Sequence, residues 1–441
     1  MSWRSLLKEE MTQLEEEGRD TDRARGLLKW ARLKSESDAR RVWGRLRRLP
    51  LRDGFAYREP SDLTAIAREW GRVPVEFGRP RIRELSDRIA GAWFGRAAGC
   101  MLGKPVEGWM APRIKACLER AGQWPLCDYF SARAFSGLPG ADGRRRCLKG
   151  GITAAVRDDD MDYTVLALRI VERYGRGFSS RDVAAMWLEK LPFSLTYTAE
   201  RAAYRNLVNQ VPPPESASVV NPYREWIGAQ IRADFWGYLN PGKPFRAAEQ
   251  AFRDACVSHT KNGIYGEMWA AAAVAAALAG AGVREVMRSG LAVIPEHSRL
   301  AEAVRNTIWW CQTGRKWEET LSLIRRNYGH YHRVHTINNA CVVAMAVLLA
   351  EGDFGKTIAL AVMGGWDTDC NGATAGSIAG AMIGGLFLGI AESLFPNLVL
   401  SGLGIPAPYQ LKDALAFLLL VLVLIFRPTG ILGERLATKK A

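Results

Sequence analysis

Three consecutive carboxylates, at Asp158, Asp159 and Asp160, are the strongest chemical signal in the chain. They precede the segment YTVLALRIVERYG, whose apolar spacing predicts that they open a helix. Helix capping explains one acid, because free N–H groups and the helix dipole favour negative charge there. Three adjacent carboxylates raise one another's pKa unless a cation offsets them. Arg157 could offset one of them, whereas a hard ion such as Mg²⁺ would offset all three. On this segment alone, a metal site and a surface cap remain equally good interpretations.

A second acidic pair lies in GGWDTDCNGATAG, at Asp367 and Asp369. Flanking glycines let the backbone turn tightly, so that both carboxylates can point at one place. An Asx-rich turn would give the same pattern without any metal. The two acidic clusters stand about 200 residues apart, each beside a predicted helix. Together they predict the two halves of one site, in which two metal ions clamp a substrate oxygen and activate a water.

Two glycine-containing segments could line the same pocket. Glu107 follows a Gly-Lys-Pro turn in GCMLGKPVEGW, and KNGIYGEMW carries Asn262, Gly263 and Gly266 before an alanine-rich stretch. A glycine loop that enters a helix N-terminus is a plausible phosphate cradle. Many helices also begin this way without a ligand, so the second segment by itself is a weak signal.

The segment GHYHRVHTINNA contains His330, His332 and His335. The spacing H-x-H-x-x-H suggests zinc, but no thiols stand nearby in sequence and the helical pair H-x-x-x-H is absent. Structural or solvated histidines are therefore the favoured interpretation.

The elements that position these residues are predicted to be helices. DRIAGAWFGRAAGC, YTVLALRIVERYG, EMWAAAAVAAALAG and NNACVVAMAVLLAEG have helical length and period, and no convincing run of alternating strands appears. Residues 87–385 are therefore predicted to form one all-α catalytic domain. Residues 1–86 are predicted to form a charged helical extension, whose tryptophans Trp3, Trp30 and Trp43 suggest that it packs on something.

The composition changes again in the last part of the chain, and residues 386–441 are predicted to form an apolar helical tail. Between Cys370 and Phe426 the only charged residues are Glu392, Lys412 and Asp413. The run ALAFLLLVLVLIF has 13 residues, whereas a membrane span needs roughly 20. A buried helix and a membrane-associated tail both remain open.

Composition and charge narrow the class of protein. The 441 residues are 48% hydrophobic and 24% charged, which is ordinary globular usage. The net charge of +14 favours anionic partners without choosing among nucleotides, nucleic acid and membrane surfaces. The eight cysteines form no C-x-x-C pair, which argues against a zinc ribbon or a thioredoxin motif and favours reduced thiols. With a charged start that lacks a signal peptide's apolar core, we expect a cytoplasmic protein, with membrane association possible through the tail.

Taken together, the motif-bearing segments resemble the ADP-ribosylglycohydrolase family. RIAGAWFGRAAGCMLGKPVEG, RDDDMDYTVLAL, KNGIYGEMWAAAAVAAA, HTINNA and GGWDTDCNGATAGSIAG occur in the family's order over residues 87–384. The resemblance implies an orthogonal all-α helical bundle with a dinuclear site for Mg²⁺, or alternatively Mn²⁺. It also implies cleavage of ADP-ribose from a protein side chain or a small ADP-ribosyl compound, with no direct nucleic-acid binding.

The resemblance also implies roles for individual residues. The implied metal ligands are Asp158, Asp159, Asp160, Asp367 and Asp369. The implied catalytic residues are Glu107, which would lie over the metals, together with Asp159 and Asp369. The implied substrate-binding residues are Asn262, Gly263 and Gly266 in a diphosphate-binding loop, and His335 at a helix start.

Three positions depart from the family pattern. Asp158 and Met161 stand where better-studied members have a hydroxyl residue and a Thr, and Cys370 replaces a Thr. The tail departs further, because KDALAFLLLVLVLIFRPTGILGE resembles the end of a branched-chain amino-acid transporter permease. Two alternatives to an enzyme therefore stay open: an ADP-ribose-binding module without turnover, and a chimeric chain with a membrane-transport component.

Overall fold

The computed structural model describes residues 2–22, 24, 35–70, 77–78, 82–138 and 144–384. In these ranges the secondary structure is helical, with a few isolated β-bridges and no named strand. The all-α prediction is confirmed. Residues 386–441, predicted to form the permease-like tail, lie outside the described residues, so that prediction stays a prediction.

The first half of the described chain supplies eight α-helices and five short 3₁₀ turns. The helices are α1 (Trp3–Glu16), α2 (Glu36–Leu46), α3 (Leu63–Arg68), α4 (Ile82–Gly103), α5 (Ala111–Ala121), α6 (Asp159–Tyr174), α7 (Ser180–Lys190) and α8 (Thr198–Val208). The turns are Lys104–Val106, Ala132–Phe135, Arg145–Cys147, Phe193–Leu195 and Glu215–Ala217.

The second half supplies nine further α-helices and one 3₁₀ turn, Gln230–Arg232. The helices are α9 (Asp234–Leu239), α10 (Pro244–Ala255), α11 (Asn262–Leu278), α12 (Val283–Ala292), α13 (Arg299–Gln312), α14 (Trp317–Tyr328), α15 (Thr336–Leu349), α16 (Phe354–Met363) and α17 (Thr368–Ile383).

Helix α11 forms the centre of the main hydrophobic core. Every one of its residues is buried, and its alanine run, Ala270–Ala273, lets α9, α10 and α12 pack closely around it. Helix α15 is nearly as buried. A helix that is apolar on all sides must be surrounded by protein, so these two helices form the interior on which the others pack.

Helices α4 and α17 run antiparallel with almost no side chains between them. A Cβ atom built on Gly99 would lie 1.9 Å from the carbonyl oxygen of Gly372, and one on Gly95 would lie 2.2 Å from that of Gly376. Two more pairs continue the contact, Gly103 with Thr368 and Gly91 with Gly380. Backbone therefore packs directly on backbone, and only glycine fits at the closest points. We call this contact the glycine seam.

The N-terminal helices pack against later parts of the described chain. Leu7, Leu14 and Trp43 form a small second core that includes Val220 from the loop after α8. The described residues from 2 to 384 form one compact unit. The described part of the extension is thus packed against the domain predicted to begin at residue 87. Across the described residues, we find no helix with the length and apolar character of a membrane span.

Candidate metal centre

The first acidic cluster stands at the start of α6, where capping and burial coincide. Asp158 is the N-cap residue, and its Oδ1 accepts a 3.0 Å hydrogen bond from the backbone N–H of Asp160. The capping interpretation therefore holds for Asp158. It does not explain Asp160, because that carboxylate is buried and its Oδ2 has no hydrogen-bond partner.

The second cluster is fixed by a strained turn before α17. Gly365 and Trp366 have φ values of +80° and +64°, and this left-handed backbone brings Asp367 to the start of the helix. Helix α15 secures the turn, because Asn339 Oδ1 accepts hydrogen bonds from the Asp367 backbone N–H (3.2 Å) and from Asn371 Nδ2 (2.8 Å).

The two clusters converge into three adjoining groups of side chains that could hold metal ions. Within each group, one ligand atom from each member lies within 4.8 Å of the others. The inner group is Cys100, Asp158 and Asp160; the middle group is Asp160, Asp369 and Cys370; and the outer group is Glu107, Asp367 and Asp369. Asp160 and Asp369 are shared, so the groups form a continuous chain of donors across the meeting point of α4, α6 and α17.

Asp159 belongs to none of these groups in the described part of the chain. It is partly buried in the first turn of α6. Burial and the charges of Asp160 and Asp158 raise the pKa of Asp159 to about 9. Its predicted roles as metal ligand and catalytic residue stay predictions.

The convergence is electrostatically unfavourable without a cation. Burial and the nearby Glu107 raise the pKa of Asp367 to about 7, and burial and Asp367 raise that of Asp369 well above its usual value. Asp369 Oδ1, like Asp160 Oδ2, is buried without a hydrogen-bond partner. Unpaired buried carboxylate oxygens are costly, and oxygen-rich sites suit hard divalent cations. The residues present therefore fit a divalent metal ion.

Two basic residues that the sequence analysis missed hold the inner carboxylates. Lys104 Nζ donates to Asp158 Oδ2. The buried Arg96 donates to the backbone oxygen of Asp160 (2.8 Å), to its Oδ1 (3.2 Å) and to Asp234. A signal for Arg96 did exist, because it is the single charged residue between Arg88 and Lys104 in a glycine- and alanine-rich helix. A lone charge in such a helix needs a buried partner.

Glu107 is the exposed member of the outer group. It ends the 3₁₀ turn Lys104–Val106. The backbone that follows pairs with the turn before α17: Gly108 N–H donates to the Trp366 carbonyl, and Trp366 N–H donates to the Trp109 carbonyl, both at 2.9 Å. This pairing holds Glu107 over the second acidic cluster, with its carboxylate open to solvent.

Comparison with known proteins identifies the family of this chain. The family model described as ADP-ribosylglycohydrolase matches residues 81–386, more than half of the chain. The chain belongs to the ADP-ribosylglycohydrolase family. That family comprises metal-dependent hydrolases of ADP-ribose linkages. A solved structure titled ADP-ribosylglycohydrolase-related protein complex is similar at 20% identity and a TM-score of 0.47, covering 75% of this chain and 96% of that one.

A second similarity is to transporters and is confined to short segments. The branched-chain amino-acid permease BraD of Pseudomonas aeruginosa is 33% identical over 157 residues, covering 33% of this chain and 43% of the permease. The permease LivH of Escherichia coli K12 is 47% identical over 79 residues, covering 18% and 20%. The chain thus spans less than half the length of these curated relatives. The predicted resemblance to both families is confirmed.

The predicted diphosphate-binding loop of the glycohydrolase domain lies under the N-terminal extension. Asn262 is buried, and its Nδ2 donates to Glu225 and to Glu59, each at 2.8 Å. A Cβ atom on Gly263 would lie 2.5 Å from the carbonyl oxygen of Arg224, and one on Gly266 would lie 2.3 Å from a methyl carbon of Thr336. In this structure the loop residues make packing contacts and ion-network contacts, so their role in substrate binding stays a prediction.

His335 is buried in the same region. It caps α15, because its Nδ1 accepts a 3.2 Å hydrogen bond from the Ile337 N–H. Its Nε2 has no hydrogen-bond partner and lies 3.7 Å from a carboxylate oxygen of Glu16 on α1. Burial lowers the pKa of His335 to about 3. The ring is therefore neutral, as a structural cap would be, and its predicted substrate contact remains untested.

A buried ion network attaches the N-terminal extension to this loop. Arg224 pairs with Glu10 (2.6 Å) and with Glu17 (2.7 Å), and Lys261 pairs with Glu17 (2.7 Å). Arg299 continues the network by pairing with Glu59 and Glu225, both at 2.7 Å. The sequence analysis did not foresee these pairs.

The histidine-rich segment carries no sign of a zinc site. The metal-binding groups found among the described residues contain no histidine. His332 stacks on Trp226 with the ring centroids 4.1 Å apart, and Tyr331 stacks on His335 at 4.4 Å. These contacts agree with the structural interpretation of the segment.

Proposed function

We propose that this chain is a Mg²⁺-dependent hydrolase that cleaves an N- or O-glycosidic bond of ADP-ribose, carried by a protein side chain or by a small ADP-ribosyl compound. Mn²⁺ is the alternative ion. The net charge of +14 favours such an anionic substrate, and we expect no direct binding of nucleic acid.

One observation carries the proposal: two carboxylates, Asp160 and Asp369, are each shared by adjoining groups and each keep a buried oxygen without a partner. A single structural cap does not produce this arrangement, whereas a metal site would need buried carboxylate oxygens that are free to bind the ions. Asp158, Asp160, Asp367 and Asp369 would hold the ions. When bound, divalent ions supply positive charge that orients hydroxyl oxygens and lowers the pKa of a water.

Side chains of this protein would position the substrate and handle the proton next to that water. Glu107 is exposed beside two buried carboxylates, so the substrate would approach from its side. From there its carboxylate can orient a water or hold a proton in transfer. Glycoside cleavage develops positive charge on the sugar, and the surrounding carboxylates stabilise it. Lys104 and Arg96 keep Asp158 and Asp160 in position throughout.

The test uses the full-length chain and two peptides, one ADP-ribosylated on arginine and one on serine. Release of free ADP-ribose is measured by chromatography after EDTA treatment and again after Mg²⁺ is restored. We expect release only with the ion present. Calorimetric titration with ADP-ribose, run on the same samples, checks whether the pocket is intact.

The possible results separate the open hypotheses. Undiminished release after exhaustive chelation would overturn the metal mechanism. ADP-ribose binding without release from either peptide, or from a small ADP-ribosyl compound, would identify a binding module in place of an enzyme.

A further inference from the structure

Two thiols lie inside the chain of carboxylates. Cys370, in the first turn of α17, is buried, and its Sγ lies within 4.8 Å of a carboxylate oxygen of Asp160 and of one of Asp369. Its sulfur is therefore close to a carboxylate from each acidic cluster. Cys100 on α4 is also buried and shares the inner group with Asp158 and Asp160.

The three groups consequently differ in their donor atoms. The outer group, with Glu107, Asp367 and Asp369, offers only oxygen, whereas the inner and middle groups each contain one sulfur. Carboxylate oxygens suit Mg²⁺ and Mn²⁺, and thiolates select softer ions such as Zn²⁺. Co²⁺ serves as a spectroscopic substitute for Zn²⁺.

Both residues with an unpaired buried oxygen belong to the middle group, which contains a thiol. Asp160 Oδ2 and Asp369 Oδ1 are the buried carboxylate oxygens of the middle group without a partner, and Cys370 completes that group. Other buried thiols have different surroundings: Cys117, for example, donates to the backbone oxygen of Ala134 at 2.9 Å and belongs to none of the groups.

We propose that Cys370, supported by Cys100, is a metal donor that makes the buried end of this centre selective for a borderline divalent ion such as Zn²⁺, while the outer end takes Mg²⁺. The proposal rests on the metal centre of the proposed function. When the ion binds, the Cys370 sulfur forms the metal bond and its proton leaves to solvent. The sulfur is not oxidised or reduced.

The competing explanation is that Cys370 only fills space and donates a hydrogen bond. The two explanations differ in the bond that they predict, because a thiolate bound to Co²⁺ gives a near-ultraviolet charge-transfer absorption that oxygen ligands do not give. Binding spectra therefore discriminate between them without any assay of turnover.

The experiment titrates the EDTA-treated full-length chain with Co²⁺ and compares Cys370→Ser with Cys117→Ser. We expect the charge-transfer band in the wild type and in Cys117→Ser, and its loss in Cys370→Ser. We also expect Zn²⁺ affinity in Cys370→Ser to fall by at least the roughly 10- to 100-fold that loss of an outer-shell partner costs. Mg²⁺ affinity should change far less.

A measurement on the wild type keeps the proposal falsifiable if Cys370→Ser does not fold. X-ray absorption of the Zn²⁺-loaded chain should show a sulfur scatterer at about 2.3 Å. Co²⁺ binding without the band, or Zn²⁺ binding with only light-atom scatterers, overturns the proposal.

The outcome is separable from that of the proposed function. Sulfur ligation without ADP-ribose release would support this inference and contradict the hydrolase. Mg²⁺-dependent release without sulfur ligation would do the reverse.

Discussion

At the scale of single residues, the position of a carboxylate in the three groups decides what its loss should do. Asp369 is buried and belongs to two of the groups, and one of its oxygens has no hydrogen-bond partner, so Asp369→Asn would remove a carboxylate from both groups. We expect metal affinity, measured by calorimetry, to fall by at least roughly 10- to 100-fold. The melting temperature of the metal-free protein should rise, because the raised pKa of Asp369 means that folding at neutral pH requires the uptake of a proton, which Asn does not need.

Asp353→Asn is the matched control, since Asp353 caps α16 at the surface and hydrogen-bonds to the Lys356 backbone N–H. Asn caps helices about as well as Asp, so both measured quantities should stay near the wild-type values. Unchanged metal affinity in Asp369→Asn would remove this residue from the centre.

Glu107 is the exposed acid of the outer group, so Glu107→Gln should separate catalysis from binding. Loss of proton handling typically costs 10²- to 10⁴-fold in rate, and we expect kcat to fall by about that factor. The amide keeps the shape of the side chain, so ADP-ribose affinity should stay within a few-fold of the wild type. Single-turnover kinetics and calorimetry measure the two effects.

The exposed Glu119, on α5, provides the control substitution Glu119→Gln, with wild-type values expected in both assays. If Glu107→Gln weakened ADP-ribose binding as much as it slowed turnover, Glu107 would have a structural role instead.

The residues of the centre were only partly predictable, for a physical reason. Carboxylates in runs, such as Asp158–Asp160, are conspicuous because like charges rarely cluster without a cation. Arg96 and Lys104 were missed because each compensates a carboxylate more than 50 positions away in the chain. Spacing in sequence carries no information about such a pair.

At the scale of elements, the glycine seam fixes the distance between the segments that carry the site. Gly99→Ala would place a methyl group 1.9 Å from a backbone oxygen, and neither backbone can rotate away as a side chain can. Overpacking typically costs 1–3 kcal/mol, and we expect about 3 kcal/mol or more here. Urea unfolding measures the loss, and Mg²⁺ affinity should fall with it because α17 carries Asp369.

Gly44→Ala is the matched control, because Gly44 lies within α2 and a Cβ there meets nothing within 4 Å. In an open helical position Ala should be neutral or stabilising by up to about 1 kcal/mol. Equal stability of the two variants would show that helices α4 and α17 can move apart at the seam without cost.

The N-terminal helix shows where reasoning from patterns stopped. In LLKEEMTQLEEEG the glutamates look like a solvated face, yet Glu10 and Glu17 are buried. Their partners Arg224 and Lys261 stand more than 200 positions away. A buried acid needs such a partner. The amino-acid sequence alone does not show which distant residue that partner is. The apolar periods of α11 and α15, by contrast, were sufficient to predict both helices.

At the scale of the whole molecule, the raised pKa values predict how stability depends on pH. Glu16, Asp367 and Asp159 have pKa values of about 8, 7 and 9 in the folded metal-free chain. At a pH between the ordinary pKa of such a group and its raised pKa, the group is protonated in the folded state and ionised in the unfolded state. Stability therefore falls as pH rises, by at most about 1.4 kcal/mol per pH unit for each such group.

Melting in EDTA at a series of pH values from 7 to 9 should thus give a decreasing transition temperature, because the buried His335 is neutral in this range and contributes no opposing dependence. Saturating Mg²⁺ should flatten the slope, because the ion replaces the protons on the acidic groups; Glu16→Gln should remove a separate part of it. A transition temperature that rose with pH in EDTA would contradict the burial of these carboxylates.

The glycine seam also limits how substitutions during evolution can change the site. In most cores, exchanging large and small side chains slides helices past one another, and a site built across them drifts. Here the two helices that lead to Glu107 and to Asp369 meet through main chain, so there are few side chains whose exchange could move them. Substitutions elsewhere in the core should therefore leave the distance between Glu107 and Asp369 nearly unchanged. A preference for a different ADP-ribose linkage would then have to arise from substitutions in the solvent-exposed surroundings of Glu107. Residues can change there without moving the carboxylates of the metal centre.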